Sequence, residues 1–215
     1  NNSVAYKGKP EMGTFMREWL ALYDSKSGER GVFNRDAADK QVARNGRRET
    51  GHMWGTNPCS EIILRPYQFC NLSEVMVRES DDLESLKRKV RVATIIGTMQ
   101  STLTNFKYLR KIWKDNTEEE RLLGVSLTGI MDHHVLSKNV DSKRWLEEMR
   151  QVAVDTNAEF ANMLGIQQSV AITCVKPSGT VSQLTDTASG IHARHNDHYI
   201  RTVRGDNKDP LTQFL

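Results

Sequence analysis

Apolar side chains recur every three or four positions across residues 10–23, at Met12, Phe15, Met16, Trp19, Leu20 and Tyr23, and this period predicts an amphipathic helix. The turn-forming run Asp24-Ser25-Lys26-Ser27-Gly28 ends it. The same period predicts a long helix over 82–104, striped by Leu83, Leu86, Val90, Ala93, Ile96 and Gly97. Another is predicted over 142–164, where Trp145, Met149, Val152, Ala153, Thr156, Phe160 and Met163 align and Gly165 supplies the stop. Residues 35–45 read as a polar helix. Thr117-Glu118-Glu119-Glu120 reads as a helix start, with Thr117 as N-cap and Glu120 at the capping-box position. That helix is expected to run on through residues 122–131, with Gly124 and Gly129 allowing close packing rather than binding a ligand. Gly31-Val32-Phe33 and the β-branched run 169–175 are strand candidates. Helices and strands in this proportion indicate a mixed α/β fold. No internal repeat, low-complexity tract or linker divides the chain.

Composition narrows the class. The chain has 215 residues, 38% hydrophobic and 27% charged, which fits a soluble globular protein of one sizeable or two small domains. No apolar run approaches the ~20 residues that cross a bilayer, and no signal peptide is visible. The net charge of +3 suits an anionic small molecule as well as nucleic acid. The basic residues are interspersed with 27 acidic ones and no aromatic platform accompanies them, so direct nucleic-acid binding is not expected. Three cysteines without CxxC or metal-ligand spacing argue for a reducing compartment, taken as the cytoplasm. The chain opens on Asn1-Asn2-Ser3 without an initiator methionine and stops at Gln213-Phe214-Leu215. A segment of a larger protein, or one piece of a split one, is therefore expected.

The densest chemistry lies in Gly55-Thr56-Asn57-Pro58-Cys59-Ser60-Glu61-Ile62-Ile63-Leu64. On an extended backbone Asn57, Cys59 and Glu61 would share one face. Pro58 biases Asn57 away from the α region and removes an amide donor. Ile62-Ile63-Leu64 would bury the segment, shielding an amide, a thiol and a carboxylate that project together. A second thiol, Cys70, follows eleven residues after Cys59. A second constellation follows the strand candidate 169–175. Lys176-Pro177-Ser178-Gly179-Thr180 leads into Val181-Ser182-Gln183-Leu184, which can open a helix. Strand, small-residue loop and helix N-terminus together form an anion cradle of free amides. Ser178, Thr180 and Ser182 add hydroxyls, and Gly179 permits close backbone approach. Gly-Lys-[Ser/Thr] is absent, so this is not a Walker A loop.

Three smaller features are read as structural. Arg44-Asn45-Gly46-Arg47-Arg48 is taken as a solvated helix end rather than a phosphate contact. Cys174, in its apolar strand, is taken as an inert buried thiol. His195 and His198 lack a spaced third ligand, so no metal site is expected.

Asn57-Pro58-Cys59-Ser60-Glu61, the Cys70 spacing, the stretch 121–131 and Pro177-Ser178-Gly179-Thr180-Val181-Ser182 together resemble the ribonucleotide reductases. Gly190-Ile191-His192-Ala193-Arg194 and Tyr199-Ile200-Arg201-Thr202-Val203-Arg204 resemble the segment that follows the family's phosphate loop, with His192 and Arg194 expected to pack and pair at the barrel rim. Asn1-Asn2-Ser3-Val4-Ala5 resembles the end of a strand just ahead of the family's active-site region. The proline at position 58 resembles the adenosylcobalamin-dependent class, which implies that cofactor as the radical source. The resemblance implies a ten-stranded α/β barrel with a central catalytic finger loop, of which residues 1–215 are an incomplete segment.

It further implies Cys59 as the thiyl radical that removes the ribose 3′ hydrogen and Glu61 as the base for the 3′-hydroxyl. Asn57 is implied to orient the sugar, and Cys70 to be one of two reducing thiols. Pro177, Ser178, Gly179, Thr180, Val181 and Ser182 are implied to hold the phosphates of a ribonucleoside di- or triphosphate. A dithiol reductant such as thioredoxin is implied, as is another chain or segment that completes the barrel. The partner of Cys70, the C-terminal thiol pair and an allosteric site have no counterpart here. The alternatives are the large subunit of a diiron-dependent reductase and a non-catalytic nucleotide-binding fragment. Asp132-His133-His134-Val135-Leu136-Ser137 nearly matches a cobalamin-binding pattern. Ser137 stands where that pattern has glycine, on a segment the family uses for packing, so it is not taken as a cofactor site.

Overall fold

A computed structural model describes residues 4–28, 31–138, 140–200 and 202–214. Part of the expected first strand (residues 1–3) and Arg201 of the expected rim segment lie outside the described residues. The elements in order are β1 (Val4–Tyr6), α1 (Met12–Ser25), β2 (Val32–Asn34), α2 (Arg35–Ala43), β3 (Gly55–Thr56), β4 (Ile63–Leu64), β5 (Asn71–Met76) and α3 (Leu83–Gln100). There follow α4 (Lys111–Glu120), β6 (Leu123–Thr128), a 3-10 turn (Ile130–Asp132), α5 (His134–Lys138), α6 (Ser142–Leu164), α7 (Thr180–Leu184) and α8 (Pro210–Phe214).

The centre is the parallel pair β5–β6, in register from Asn71 opposite Leu123 to Met76 opposite Thr128. The segment 169–175 lies along the other edge of β6. It forms one parallel bridge, Thr173 to Val125, and irregular bonds such as Leu123 N–H to Ala171 O at 2.9 Å. Alternation gives this sheet two different faces. Val75, Val77, Leu123, Val125 and Ile172 face α3 and α6, and with Leu86, Val90, Ala93, Met149 and Ala153 they form the main core. Residues 72, 74, 124, 126 and 128 face the other way.

The helices form where their period predicts, with local reasons for their ends. Asp82 caps α3 through the Ser85 amide and Ser85 returns the bond, a capping box. Gly165, at φ +65°, closes α6 in the left-handed region. Three expectations are corrected. Ile96 is more than half exposed, so it lies off the buried stripe of α3. The apolar face of α1 is also uncovered among the described residues: Trp19 and Leu20 are each 54% exposed. The acidic run 117–120 ends α4 instead of starting a helix, and residues 123–128 are the buried strand β6. Arg121 takes φ +43° and stops α4. The strand follows because residues 122–128 are apolar or small with buried polar Ser126 and Thr128, a pattern of two-sided burial that periodicity does not separate from a helix. Gly124 and Gly129 do allow close approach. A β-carbon at Gly124 would meet Leu72, Ile62 and Cys174, and one at Gly129 would sit 2.6 Å from the Val77 carbonyl.

A candidate active site on the inner face of the sheet

β3 and β4 are the two short arms of a hairpin whose tip is Asn57–Ser60. The tip is a turn, not the extended segment expected from alternation. Ser60 N–H donates to Asn57 O at 3.0 Å and Asn57 N–H to Ile62 O at 3.3 Å. The physical cause is in the residues: asparagine followed by proline favours turn entry, and Ser60 accepts φ +65°. Asn57 Oδ1 accepts the Ile62 N–H at 3.0 Å, which leaves its amide NH2 as the outward donor.

The hairpin lies on the sheet face opposite the helices. Ile62, 5% exposed, reaches over Gly124 of β6. Shielding stops there: Cys59 is exposed at the tip, contrary to the expectation that the apolar run would bury it. The burial belongs to the returning arm, two residues beyond the turn. Glu61 is half-buried, and its Oε2 is buried without a hydrogen-bond partner, as are Glu74 Oε1 and Ser126 Oγ on the same side of the sheet. Glu61, Ser126, Thr173 and Cys174 line one part of a cleft of about 620 Å³ that continues to Leu146, Met149 and Arg150 of α6 on the helical side.

The two remaining thiols feel this setting. Burial, and then the Glu61 carboxylate, push the Cys70 thiol up. The same two causes, with Cys70 next, push Cys174 up to about 12 from an ordinary 9.0. Cys174 is thus a protonated neighbour of the site and not simply an isolated core thiol. It is no disulfide partner for Cys70 in this arrangement. Cys70 precedes β5 and Cys174 flanks the far side of β6. The register sets Cys70 level with Leu122 and Cys174 level with Ser126, so the two are offset along the strands as well as across β6, and both thiols are free.

The loop after residue 175 meets the end of β6. Thr128 Oγ1 donates to Ala188 O at 3.0 Å and accepts the Gly190 N–H at 2.9 Å. Within the loop, Ser178 Oγ accepts the Ser182 N–H at 3.2 Å, and Ser182 Oγ donates to Gly179 O at 2.7 Å. Ser178 and Ser182 are buried, whereas Gly179, Thr180 and Val181 are exposed. Arg194 pairs with Asp132 at 3.0 Å and Asp186 at 2.9 Å, and the hydrogen bonds it donates to these carboxylates hold its guanidinium above the ordinary arginine range. Arg194 thus pairs within the chain, as expected, whereas His192 is exposed.

His133 is fully buried. Its Nε2 lies 2.9 Å from Asp81 O, and its Nδ1 accepts the Val135 and Leu136 amides at 3.2 Å each. Both ring nitrogens serve the fold, so this residue is not placed to ligate cobalt. Among the described residues no group of three or more His, Cys, Asp or Glu is arranged to hold a metal ion, and no helix is long and apolar enough to cross a membrane.

The basic cluster departs from its expected role. Arg48 is buried, not solvated, and forks onto Glu120 of α4 at 2.9 and 2.7 Å. Burial, then the charge of Arg150, pull Arg47 below the ordinary arginine range. Sequence reasoning missed Arg48, Gln68, Glu120 and the inward Glu74 and Ser126. Alternation along 123–128 could have flagged Ser126; nothing local signals a pair 72 residues apart.

Residues 11–140 match the ribonucleotide reductase barrel domain. An adenosylcobalamin-dependent ribonucleoside-triphosphate reductase of Lactobacillus delbrueckii is 27% identical over the whole chain, which covers 32% of that relative. The Euglena gracilis enzyme of the same name is 30% identical over 75% of the chain and 22% of its own length. A B12-dependent (class II) ribonucleotide reductase crystal structure superposes with TM-score 0.64 at 24% identity, over 89% of this chain and 30% of that one. The chain thus spans between about a fifth and a third of the length of these relatives, whose likeness supports an α/β barrel-type fold. With the family match covering more than half of its residues, the chain belongs to the ribonucleotide reductase barrel-domain family.

Proposed function

We propose that residues 1–215 are a segment of the catalytic barrel of an adenosylcobalamin-dependent ribonucleotide reductase, and that the hairpin is its finger loop inside ten strands. The observation that carries this is the shared placement on β6. The hairpin bearing Asn57, Cys59 and Glu61 sits over Gly124, and the segment 188–190 joins the strand's end to the Ser178 loop: Ala188 and Gly190 bond Thr128, and the Ser189 hydroxyl donates to Ser178 O. The two anchor points on β6, Gly124 and Thr128, are four strand positions apart, about 13 Å.

In this reading the Asn57 amide NH2 donates to the sugar and fixes its orientation without adding charge. Glu61, whose Oε2 is buried and unpartnered, accepts the 3′-hydroxyl proton. Cys59 is the hydrogen acceptor at the 3′ carbon, and Cys70 is one of the two thiols that become a disulfide as the sugar is reduced. The exposed amides of Gly179, Thr180 and Val181, following Pro177, take the phosphates, while Ser178 and Ser182 hold the loop's shape. Bound adenosylcobalamin supplies an organic radical through its Co–C bond. The described residues fit it through the open approach to Cys59, and offer no cobalt ligand at His133. The relatives' names favour this class over the diiron alternative and favour a ribonucleoside triphosphate as substrate. A dithiol protein such as thioredoxin, a further segment or chain closing the barrel, and the cytoplasm complete the proposal.

The test is turnover of ribonucleoside triphosphates by the intact protein with adenosylcobalamin and a dithiol, without an iron subunit. Formation of 2′-deoxynucleotide is expected. Turnover only with an iron-containing partner, or none, overturns the assignment.

A further inference from the structure

We infer that Arg48, locked to Glu120 and Gln68, is a positioning residue that sets where the hairpin presents Asn57, Cys59 and Glu61; this deepens the reductase reading and rests on it. The hairpin's own ladder is two residue pairs, too little to hold a fixed direction alone. Arg48 supplies what the ladder lacks. Its guanidinium lies 4.6 Å from the Trp54 ring on the ingoing arm, and its Nη1 donates to Ile63 O at 2.8 Å on the returning arm. Its Nε and Nη2 fork onto Glu120, and Nη2 also reaches Gln68 Oε1 at 3.1 Å. Gln68 Nε2 donates to Glu120 in turn.

The acceptor side is costly and therefore informative. Glu119 and Glu120 are the last residues of α4, where the helix dipole disfavours negative charge. Each is answered from one arm of the loop: Glu120 by Arg48, and Glu119 by Arg65 at 2.5 Å. Burial pulls Arg65 down, but its hydrogen bond to Glu119 and the charges of Glu120 and Glu119 outweigh that and raise it. Arg48 and Glu120 have side chains only 5% exposed. At that depth an apolar pair of similar volume folds as well or better, so stability alone does not explain the ion pair. Geometry does. Glu120 is three residues ahead of β6, and its carbonyl accepts the Val170 N–H at 3.1 Å. The hairpin is thereby registered to the strands that carry the phosphate loop, through a planar fork that lysine does not reproduce.

The experiment compares wild type, Arg48→Lys and the double variant Arg48→Met/Glu120→Met in the intact protein. The double variant is expected to fold with a thermal midpoint lowered by a few degrees, because Gln68 Nε2 and the Ile63 carbonyl lose partners. Its amide exchange at Asn57, Ser60 and Ile62 should accelerate about tenfold while α3 and β6 keep their protection. Its kcat for nucleotide reduction should fall about a hundredfold with little change in KM, the signature of misplaced catalytic groups. Arg48→Lys should show the same pattern more weakly, and it carries the exchange test if the double variant does not fold. Wild-type exchange at those three amides together with wild-type kcat overturns the inference. A wild-type protein that reduces no nucleotide overturns the reductase reading, while the exchange result still decides the clamp.

Discussion

The hairpin 55–64 and the helical face of the sheet are built by opposite rules. On the helical side, Leu86, Leu123 and Ala153 are essentially sealed from solvent, and α3 and α6 close over them with conventional caps. On the hairpin side, the sulfur at position 59 is exposed, Ser60 takes a left-handed backbone, and the carboxylate of Glu61 is left without a partner. Hydrophobic burial organises the first. One buried ion pair, a second whose Glu119 end is exposed, and a two-pair ladder organise the second. The lesson is that reactive groups sit where local rules are broken, on a support where those rules are kept.

That contrast is sharpest at Cys59. Cys59→Ala should abolish deoxynucleotide formation while leaving the thermal midpoint nearly unchanged, since exposed substitutions shift stability by only about 0.5 kcal/mol. Normal turnover in this variant would remove the radical assignment. Glu61→Gln keeps the shape and removes the base, so kcat should fall by about 10² to 10⁴ with the fold intact; a kcat close to wild type would argue against Glu61 as that base. Leu123→Ala reverses the pattern. It should cost about 2–5 kcal/mol in a denaturant titration, and any remaining folded protein should keep its activity. Cys70→Ser should permit hydrogen abstraction, read as exchange of the 3′ hydrogen, yet block repeated turnover with dithiol. Full multi-turnover activity would refute its role.

The smallest expected effect is at Cys174. Its folded-state pKa, about 12, lies above the ordinary 9.0, so the folded protein holds the thiol proton more tightly than the unfolded chain does. The stability this contributes is present below pH 9 and is lost as pH rises from about 9 toward about 12. Urea midpoints across that alkaline window should fall more gently in Cys174→Ala than in wild type. Identical slopes would place the thiol outside the buried environment.

Legibility followed the range of the interactions. The helices 12–25, 83–100 and 142–164 were readable because each carries its own period; the first and third also carry a stop signal, and the second, which has none, ends four residues before its expected limit at 104. The residues of the candidate site were readable as types, because Asn57, Cys59, Glu61 and Cys70 fall within fourteen positions of one another. Their geometry was not. Alternation suggested a shielded extended segment, whereas Asn57 and Pro58 turn the chain and leave the sulfur outside. The acid run 117–120 was read in the wrong direction because local preference puts carboxylates at helix starts, and the arginines that reverse the preference lie at 48 and 65.

What the chain's own order of residues determined was therefore the set of elements with internal periodicity, and the chemistry concentrated in two short stretches. Tertiary structure alone decided that the hairpin lies over Gly124 of β6, that residues 123–128 are a strand, and that a buried arginine ties the hairpin to a helix end. The physical reason is that these depend on partners dozens of residues away, whose charge and burial outweigh local propensities of a few tenths of a kcal/mol per residue.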